Sequence, residues 1–483
     1  MGPAEPGDEL TTTRHEIGQA STTTLATRSL VALAGASLAE ASAAIKAILN
    51  GTSETTRAQR DALTAFVVRV ASAGLLYLSQ IVLARWMGGF EYGIYVFVWT
   101  WVLVLGGLSH LGLNLVEIRL IPEYREKVQT KLLRGLVFSA RITAFGLGTL
   151  FALVGAAGLW FIAPNLDNHY VLPLYLSLVC IPMFALTDVQ DGIGRGFAWI
   201  GVALVPPYVL RPLLLLLVMA GAHFAGLPMT AVTAAGAAIC ATWLTALIQM
   251  LLVNRRLSKA IEAGPRSYDF AFWLKTSSPL LMIIAADLVL QNADVLVISQ
   301  YLSPNEVGIY FAAAKTMALI MFVHYAVGSA VANRFATLNA RGDRMALKAV
   351  VRDAVNWTFW PSLICAAIIL ALGKPLLWLF GPQFTAGYPI MFVLVLGFLF
   401  RSAMGPAEFL LNMLGEQVRC ASVLGFTALL NIALNFALVP RFGMMGAASA
   451  TAISLITASL MNYVVVRRRL DIEIGIWRNI GKQ

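Results

Sequence analysis

Arg211 stands in the stretch PPYVLRP, inside an apolar run and flanked by Pro206, Pro207 and Pro212. Prolines remove backbone donors and interrupt the helical ladder, which leaves free carbonyls suited to the wall of a cavity. Arg69, Arg141, Lys315 and Arg401 also lie within apolar runs. At about 1.5 Å per helical residue, Arg211, Asp287, Lys315 and Arg401 fall nearest the middle of their runs, and Arg69 and Arg141 roughly two turns from one end. A charge at the centre of a membrane helix costs roughly 2.5–3.5 kcal/mol on the insertion scale, so each one requires a partner or a wet cavity. The chemistry on offer is anion binding, because the guanidinium fork donates two parallel hydrogen bonds to a phosphate or carboxylate.

Acids accompany these cations at helical spacing. Asp287, Gln291 and Asp294 stand at i, i+4 and i+7 on a run kinked by Pro279. Arg401, Gly405, Glu408 and Asn412 form a second stripe, and His110, Asn114 and Glu117 a third. Polar stripes on otherwise apolar helices are expected to face the interior. Asp287, Asp294 and Glu408 would hold a coupling ion or balance the cations. The plainer alternatives are that Arg69 and Arg141 snorkel to headgroups and that Asp287 and Arg401 form a structural ion pair. Asn431 and Asn435 read as an interhelical hydrogen-bonding pair, and Trp99, Trp101, Trp357 and Trp360 as interface anchors.

The elements that position these residues are membrane helices. Hydrophobic residues make up 59% of the 483, charged residues 12%, and the mean hydropathy is +0.76, against about 25% charged in a soluble domain. Apolar runs of about 20 residues, long enough to cross a core about 30 Å thick, fall near 62–85, 92–116, 135–162, 171–190, 199–222, 228–253, 276–300, 306–330, 354–373, 386–411, 419–439 and 445–466. The expected architecture is an all-α polytopic membrane protein of about twelve transmembrane helices. The net charge of +10 does not indicate nucleic-acid binding. Lys and Arg collect in the loops of one side (Arg119–Arg134, Arg255–Lys275, Arg334–Arg352, Arg467–Lys482), while the other side receives Arg85, Lys374 and Arg441. The positive-inside rule then predicts both termini in the cytoplasm. Cys180, Cys240, Cys365 and Cys420 have neither metal-ligand nor disulfide spacing. Residues 1–60 read as a disordered cytoplasmic tail with a weakly amphipathic stretch, and a signal peptide is not expected.

Two segments repeat at an offset of 215 residues: LARWMGGFEYGIY, Leu83–Tyr95, and ISQYLSPNEVGIY, Ile298–Tyr310. They share Glu91/Glu306, Gly93/Gly308, Ile94/Ile309 and Tyr95/Tyr310, and six spans separate them, which makes the repeats parallel. Parallel repeats are a transporter architecture with the substrate between the halves. The expected halves are 61–254 and 276–466, joined by a cytoplasmic linker at 255–275 and followed by a basic tail at 467–483. The first span, this turn motif and the long second helix resemble the polysaccharide transporter family, the Wzx-type oligosaccharide flippases. Their superfamily also holds multidrug and toxin extrusion transporters and the lipid II flippase. The resemblance implies a V-shaped bundle of two six-helix lobes around a cationic cavity. It also implies movement of undecaprenyl-pyrophosphate-linked oligosaccharide from the cytoplasmic to the periplasmic leaflet of a bacterial inner membrane. Arg69, Arg141, Arg211, Lys315 and Arg401 would then meet the diphosphate and any acidic sugars. The expected partners are the lipid-linked glycan, membrane lipids, a coupling proton or sodium ion, and polysaccharide polymerase or assembly proteins. Lipid II flippases usually have fourteen spans, so twelve weighs against that branch.

Chemistry for bond-making is absent from the sequence. It holds no P-loop, no zinc-type His/Glu motif and no Gly-x-Ser-x-Gly elbow, so neither an enzyme nor a cofactor is expected. Two other readings stay open: a small-molecule efflux antiporter, whose cavity should be acidic or aromatic, and a membrane polymerase or ligase, which would need acids or arginines in larger loops.

Overall fold

The computed structural model describes residues 54–165 and 167–480. The expected tail up to residue 53 lies outside the described residues, as does the side chain of Arg69. The regular elements of the described chain are all helices, because a backbone in hydrocarbon must satisfy its own polar groups.

The first half runs through α1 Glu54–Ser109, α2 Leu113–Glu126, α3 Thr130–Ile162, α4 Asn168–Leu178, α5 Ile181–Gly196, α6 Ile200–Val205, α7 Arg211–Phe224 and α8 Ala231–Ala260. The second half holds α9 Phe270–Tyr301, α10 Pro304–Ala318, α11 Met321–Ala340, α12 Arg344–Ala371, α13 Gly373–Phe380, α14 Tyr388–Ala403, α15 Ala407–Met413, α16 Gln417–Leu470 and α17 Trp477–Ile480. Among the described residues, nine helices are long and apolar enough to cross a bilayer, and α4 with α5, bent by 42°, make a tenth.

Two of the nine are hairpins. Straight helices of 56 and 54 residues would be about 80 Å long, yet α1 breaks at Gly88 (φ 73°) and α16 at Gly443 (φ 57°). The Tyr92 hydroxyl reaches back to Gln80 Oε1 at 2.9 Å, and Asn431 Nδ2 lies 3.3 Å from Ser454 Oγ. Twelve and twenty-three residues apart in sequence, these pairs can meet only if the chain reverses. Each hairpin adds one crossing to the ten, giving twelve.

Turns alternate between two ends. The end that holds the loops 127–129, 261–269 and 341–343 carries the arginine-rich stretches and is called here the basic end. Gly88, residues 225–230, Leu302–Ser303 and Gly443 turn at the far end.

The apolar core explains the shape. At the far end a single cluster draws on both halves: Leu83, Tyr92 and Tyr95 pack with Ile298, Tyr310, Phe380 and Phe384. At the basic end the core divides. Leu120, Ile121, Leu133 and Val189 form one cluster, and Phe335, Leu347, Val355 and Leu410 another. The molecule is therefore a V, joined at the far end and cleft at the basic end. Helix α9 bridges the arms. Trp273 near its start packs in the first half and donates from Nε1 to Tyr124 at 2.9 Å, whereas Val295, Val297 and Ile298 belong to the far-end cluster.

The repeated segments meet each other at the joint. An ideal Cβ on Gly93 would lie 1.7 Å from the Pro304 carbonyl oxygen, and one on Gly308 would lie 2.9 Å from that of Gly89. The shared glutamates terminate helices. Glu306 completes a capping box with Ser303 at the start of α10, and Glu91 accepts from the Ala231 N–H at the start of α8, 2.7 Å away. The motif is thus the joint of the V.

Candidate functional site

Arg211 is the first residue of α7. The π-turn Pro206–Leu210 delivers it, and its own N–H closes that turn on the Pro206 carbonyl. Proline at 206, 207 and 212 loosens the ladder here, as a residue aimed off the regular helix path requires. The partly exposed side chain lies over two aromatic faces, 4.8 Å from the Phe184 centroid and 5.8 Å from that of Trp99. Asp188 exerts the strongest opposite charge on it, but the carboxylate is in turn 3.7 Å from His110 Nε2. Arg211 makes no direct hydrogen bond or ion pair with a described residue.

Lys315 on α10 is placed the same way. Its Nζ lies 5.0 Å from the Phe311 centroid, the side chain is partly exposed, and no described residue bonds it. Asp294 is its opposite charge in range, yet that carboxylate is occupied: Tyr310 donates to Oδ2 at 2.6 Å, and Asp294 is 8% exposed. By the 215-residue offset Lys315 corresponds to Thr100, next to Trp99, whose ring carries Arg211. Counted from the far-end turns at Gly88 and Ser303, Trp99 and Lys315 lie about 17 and 18 Å deep, close to mid-membrane. One cation from each half therefore stands at the same level, supported by aromatic faces and free of a bonded counter-charge.

The other predicted residues separate from this pair. Arg401 donates to both oxygens of Glu408, at 3.0 and 2.8 Å, with side chains 18% and 20% exposed. Asp287 lies within Coulombic range of the pair, is exposed and accepts from Gln291 Nε2 at 2.6 Å. Exposed charge this deep belongs to a wet cleft rather than to lipid. Arg141 is tied inside the first half, to Asn254 Oδ1 at 2.8 Å and Gln190 Oε1 at 2.9 Å. Arg69 lies on α1. Asn431 and Asn435 hydrogen-bond within α16 and across its hairpin.

Sequence reading named Glu117 in the first half but missed the two acids grouped with it, Asp188 and Asp191. Asp191 pairs with Arg195 at 2.5 Å, Asp188 faces His110 and Arg211, and Glu117 is fully buried. Glu117 sits where Gly192 leaves it room, since an ideal Cβ on that glycine would be 2.7 Å from Glu117 Oε2. The spacing of Asp188 and Asp191 at the end of an apolar run is the signal that was available.

Breaking the Arg401–Glu408 pair on one side should destabilise the protein. Glu408→Gln leaves a half-buried guanidinium short of its charged partner, and a loss of about 1–3 kcal/mol is expected. Arg401→Met with Glu408→Leu should recover much of it. Thermal unfolding in detergent measures both, and equal melting temperatures for wild type and Glu408→Gln would show the pair to be idle.

Comparison with known proteins places this geometry. A solved multidrug-resistance transporter of the MATE family and MOP superfamily, in an inward-facing conformation, superposes with a TM-score of 0.70 at 14% identity, covering 84% of this chain and 98% of that one. The lipid II flippase MurJ, inward closed, gives 0.61 at 14% identity over 84% and 87%. A MOP transporter from Pyrococcus furiosus, described as having a binding pocket of reverse polarity, gives 0.63 at 14% over 88% and 97%. At that identity the likeness is one of fold, and the molecule is an all-α, MATE-like membrane protein in architecture. The family described as "Polysaccharide biosynthesis protein" matches residues 58–338, and a MatE match covers 279–437. The chain belongs to that polysaccharide biosynthesis family of the MOP superfamily. A curated relative, the probable low-salt glycan biosynthesis flippase Agl15 of Haloferax volcanii, is 24% identical over 173 residues. The match spans 35% of this chain and about a third of that relative, 36%.

Proposed function

We propose that the protein carries an undecaprenyl-pyrophosphate-linked oligosaccharide from the cytoplasmic to the periplasmic leaflet of a bacterial inner membrane. The headgroup would enter the cleft at the basic end, taken as cytoplasmic from its arginines, while the lipid tail stays in the bilayer. The observation that carries this reading is the pair Arg211 and Lys315. Cations held at mid-membrane without bonded partners cost stability unless an anion visits them, and a diphosphate has the charge and oxygens to do so. Membership in a polysaccharide biosynthesis family and the likeness to a probable glycan biosynthesis flippase support a glycan as the cargo. Asp287, within range of Arg401 and Glu408, balances charge at the second half's side of the cleft and is our candidate for a coupling ion. Asp294, bonded by Tyr310, is assigned a structural part. Alternating access would follow as the joint at Gly93 and Gly308 opens and the basic end closes.

Reconstitution tests the reading. Vesicles carrying the protein and a polyprenyl-diphosphate oligosaccharide should make the glycan accessible to an enzyme or lectin on the opposite face, well above protein-free vesicles. Efflux of amphipathic drugs from the same vesicles, with no movement of the lipid-linked glycan, would overturn it in favour of an antiporter.

A further inference from the structure

The hairpin α16 ends at Leu470, and Asp471 turns the chain with φ 51°. The next residues form no helix: Ile472, Ile474 and Ile476 are 1%, 3% and 6% exposed, Asp471 and Glu473 face outward, and Gly475 is buried with φ 130°. The apolar side fills the second half's basic-end cluster beside Val355, Met404 and Leu410. Polar contacts fasten the other side. Arg344 donates to the Leu470 carbonyl at 2.7 Å, Lys348 reaches Asp471 at 3.2 Å, and Arg467 and Arg478 reach Glu473.

This segment lands on the break that holds Arg401 near Glu408. Helix α14 stops at Ala403 and α15 starts at Ala407, across Met404, Gly405 (φ 65°) and Pro406. In an unbroken helix the Ala407 N–H would bond the Ala403 carbonyl, but here it bonds that of Gly405. The Ile476 N–H takes the vacated place, donating to Ala403 O at 2.9 Å. The segment therefore completes the broken helix, two residues from Arg401.

We propose that residues 471–476 are a positioning strap for the glycan site, holding the α14–α15 break in the geometry that brings Arg401 onto Glu408 and sets the charge of the cleft beside Asp287. The inference rests on the cleft being that site. Ile474 and Ile476 act through the pair and touch no substrate.

A double-variant cycle tests it. Ile474→Asp should reduce glycan movement in vesicles about tenfold at normal membrane abundance. Combined with Glu408→Gln it should add less than about twofold, and the melting-temperature shifts of the two should be sub-additive. Independent effects that multiply in transport and add in melting temperature would overturn the proposal, as would an Ile474→Asp protein that transports at the wild-type rate. If Ile474→Asp does not accumulate, Arg344→Gln, which removes the bond at the strap's start, is carried through the same cycle and judged by the same outcomes. Because the melting-temperature cycle needs no transport, the strap can fail while Arg211→Met still abolishes glycan movement, and the flippase reading can fail while the cycle still shows coupling.

Discussion

Arg211→Met is expected to abolish most glycan movement while leaving the protein as stable as before, or more so. Arg211 stands beside Phe184 and Trp99 with no bonded counter-charge, so the folded state bears much of its desolvation. A methionine fills the same space and removes that cost. Asp188, its opposite charge, keeps His110 at 3.7 Å and is not left without a neighbour. Activity should move the other way. A charge-assisted hydrogen bond to a phosphate contributes about 1.5–3 kcal/mol, so losing one or two should slow movement at least about tenfold. Arg211→Lys should recover only part, since an ammonium provides neither the planar fork nor the same stacking on Phe184. Lys315→Met should behave likewise, and the two should be less than additive if one diphosphate bridges both cations. Flipping rates and melting temperatures of the three variants decide the matter. Loss of activity together with a large loss of stability would make Arg211 a structural residue, and wild-type rates would remove it from the site altogether.

How far the sequence foretold this depends on what each residue answers to. The crossings were legible because hydrocarbon thickness sets the length of an apolar run regardless of tertiary structure. Arg211 and Lys315 were legible for a related reason: the penalty on a mid-membrane cation is local, and a proline-broken helix is local too. Pairing was not legible. Seven residues apart on a regular helix, Arg401 and Glu408 would be separated by about 10 Å along the axis, and only the break at Gly405 and Pro406 closes that gap. The Gly-Pro dipeptide signals a break, but not which charges it brings together. Asp287 and Asp294 share a stripe and looked equivalent, yet the Tyr310 hydroxyl arrives from α10 and takes only Asp294. The basic tail was read through its arginines, while the spacing of Ile472, Ile474 and Ile476 pointed to a packed segment. The repeated glutamates and glycines were found by comparing one half with the other, but their work at the joint becomes visible only when the two copies touch.

That contact predicts the effect of Gly93→Leu, which should wedge the far end apart and stop transport. Even the Cβ would meet the Pro304 carbonyl oxygen at 1.7 Å and its carbon at 2.5 Å. These are backbone atoms at the capped start of α10, so no rotamer relieves the clash and the helices must separate. Overpacking costs about 1–3 kcal/mol where side chains can adjust, and a backbone obstacle belongs at or above the upper end. The same joint must open once per cycle if the cleft is to face the other leaflet, so its disruption biases the population toward far-end-open states. Labels at Arg85 and Trp378, whose side chains stack across the joint with the guanidinium 4.6 Å from the ring, should move apart by several ångströms. The opposite manipulation sharpens the test. Cysteines at Gly89 and Asn305, where an ideal Cβ on the glycine would be 1.9 Å from Asn305 Oδ1, should form a disulfide that halts transport and releases it on reduction. If the cross-linked protein moves glycan as fast as the reduced one, the far end does not open during transport. Movement across the membrane would then have to use another path, along the side of the cleft where α9 bridges the arms.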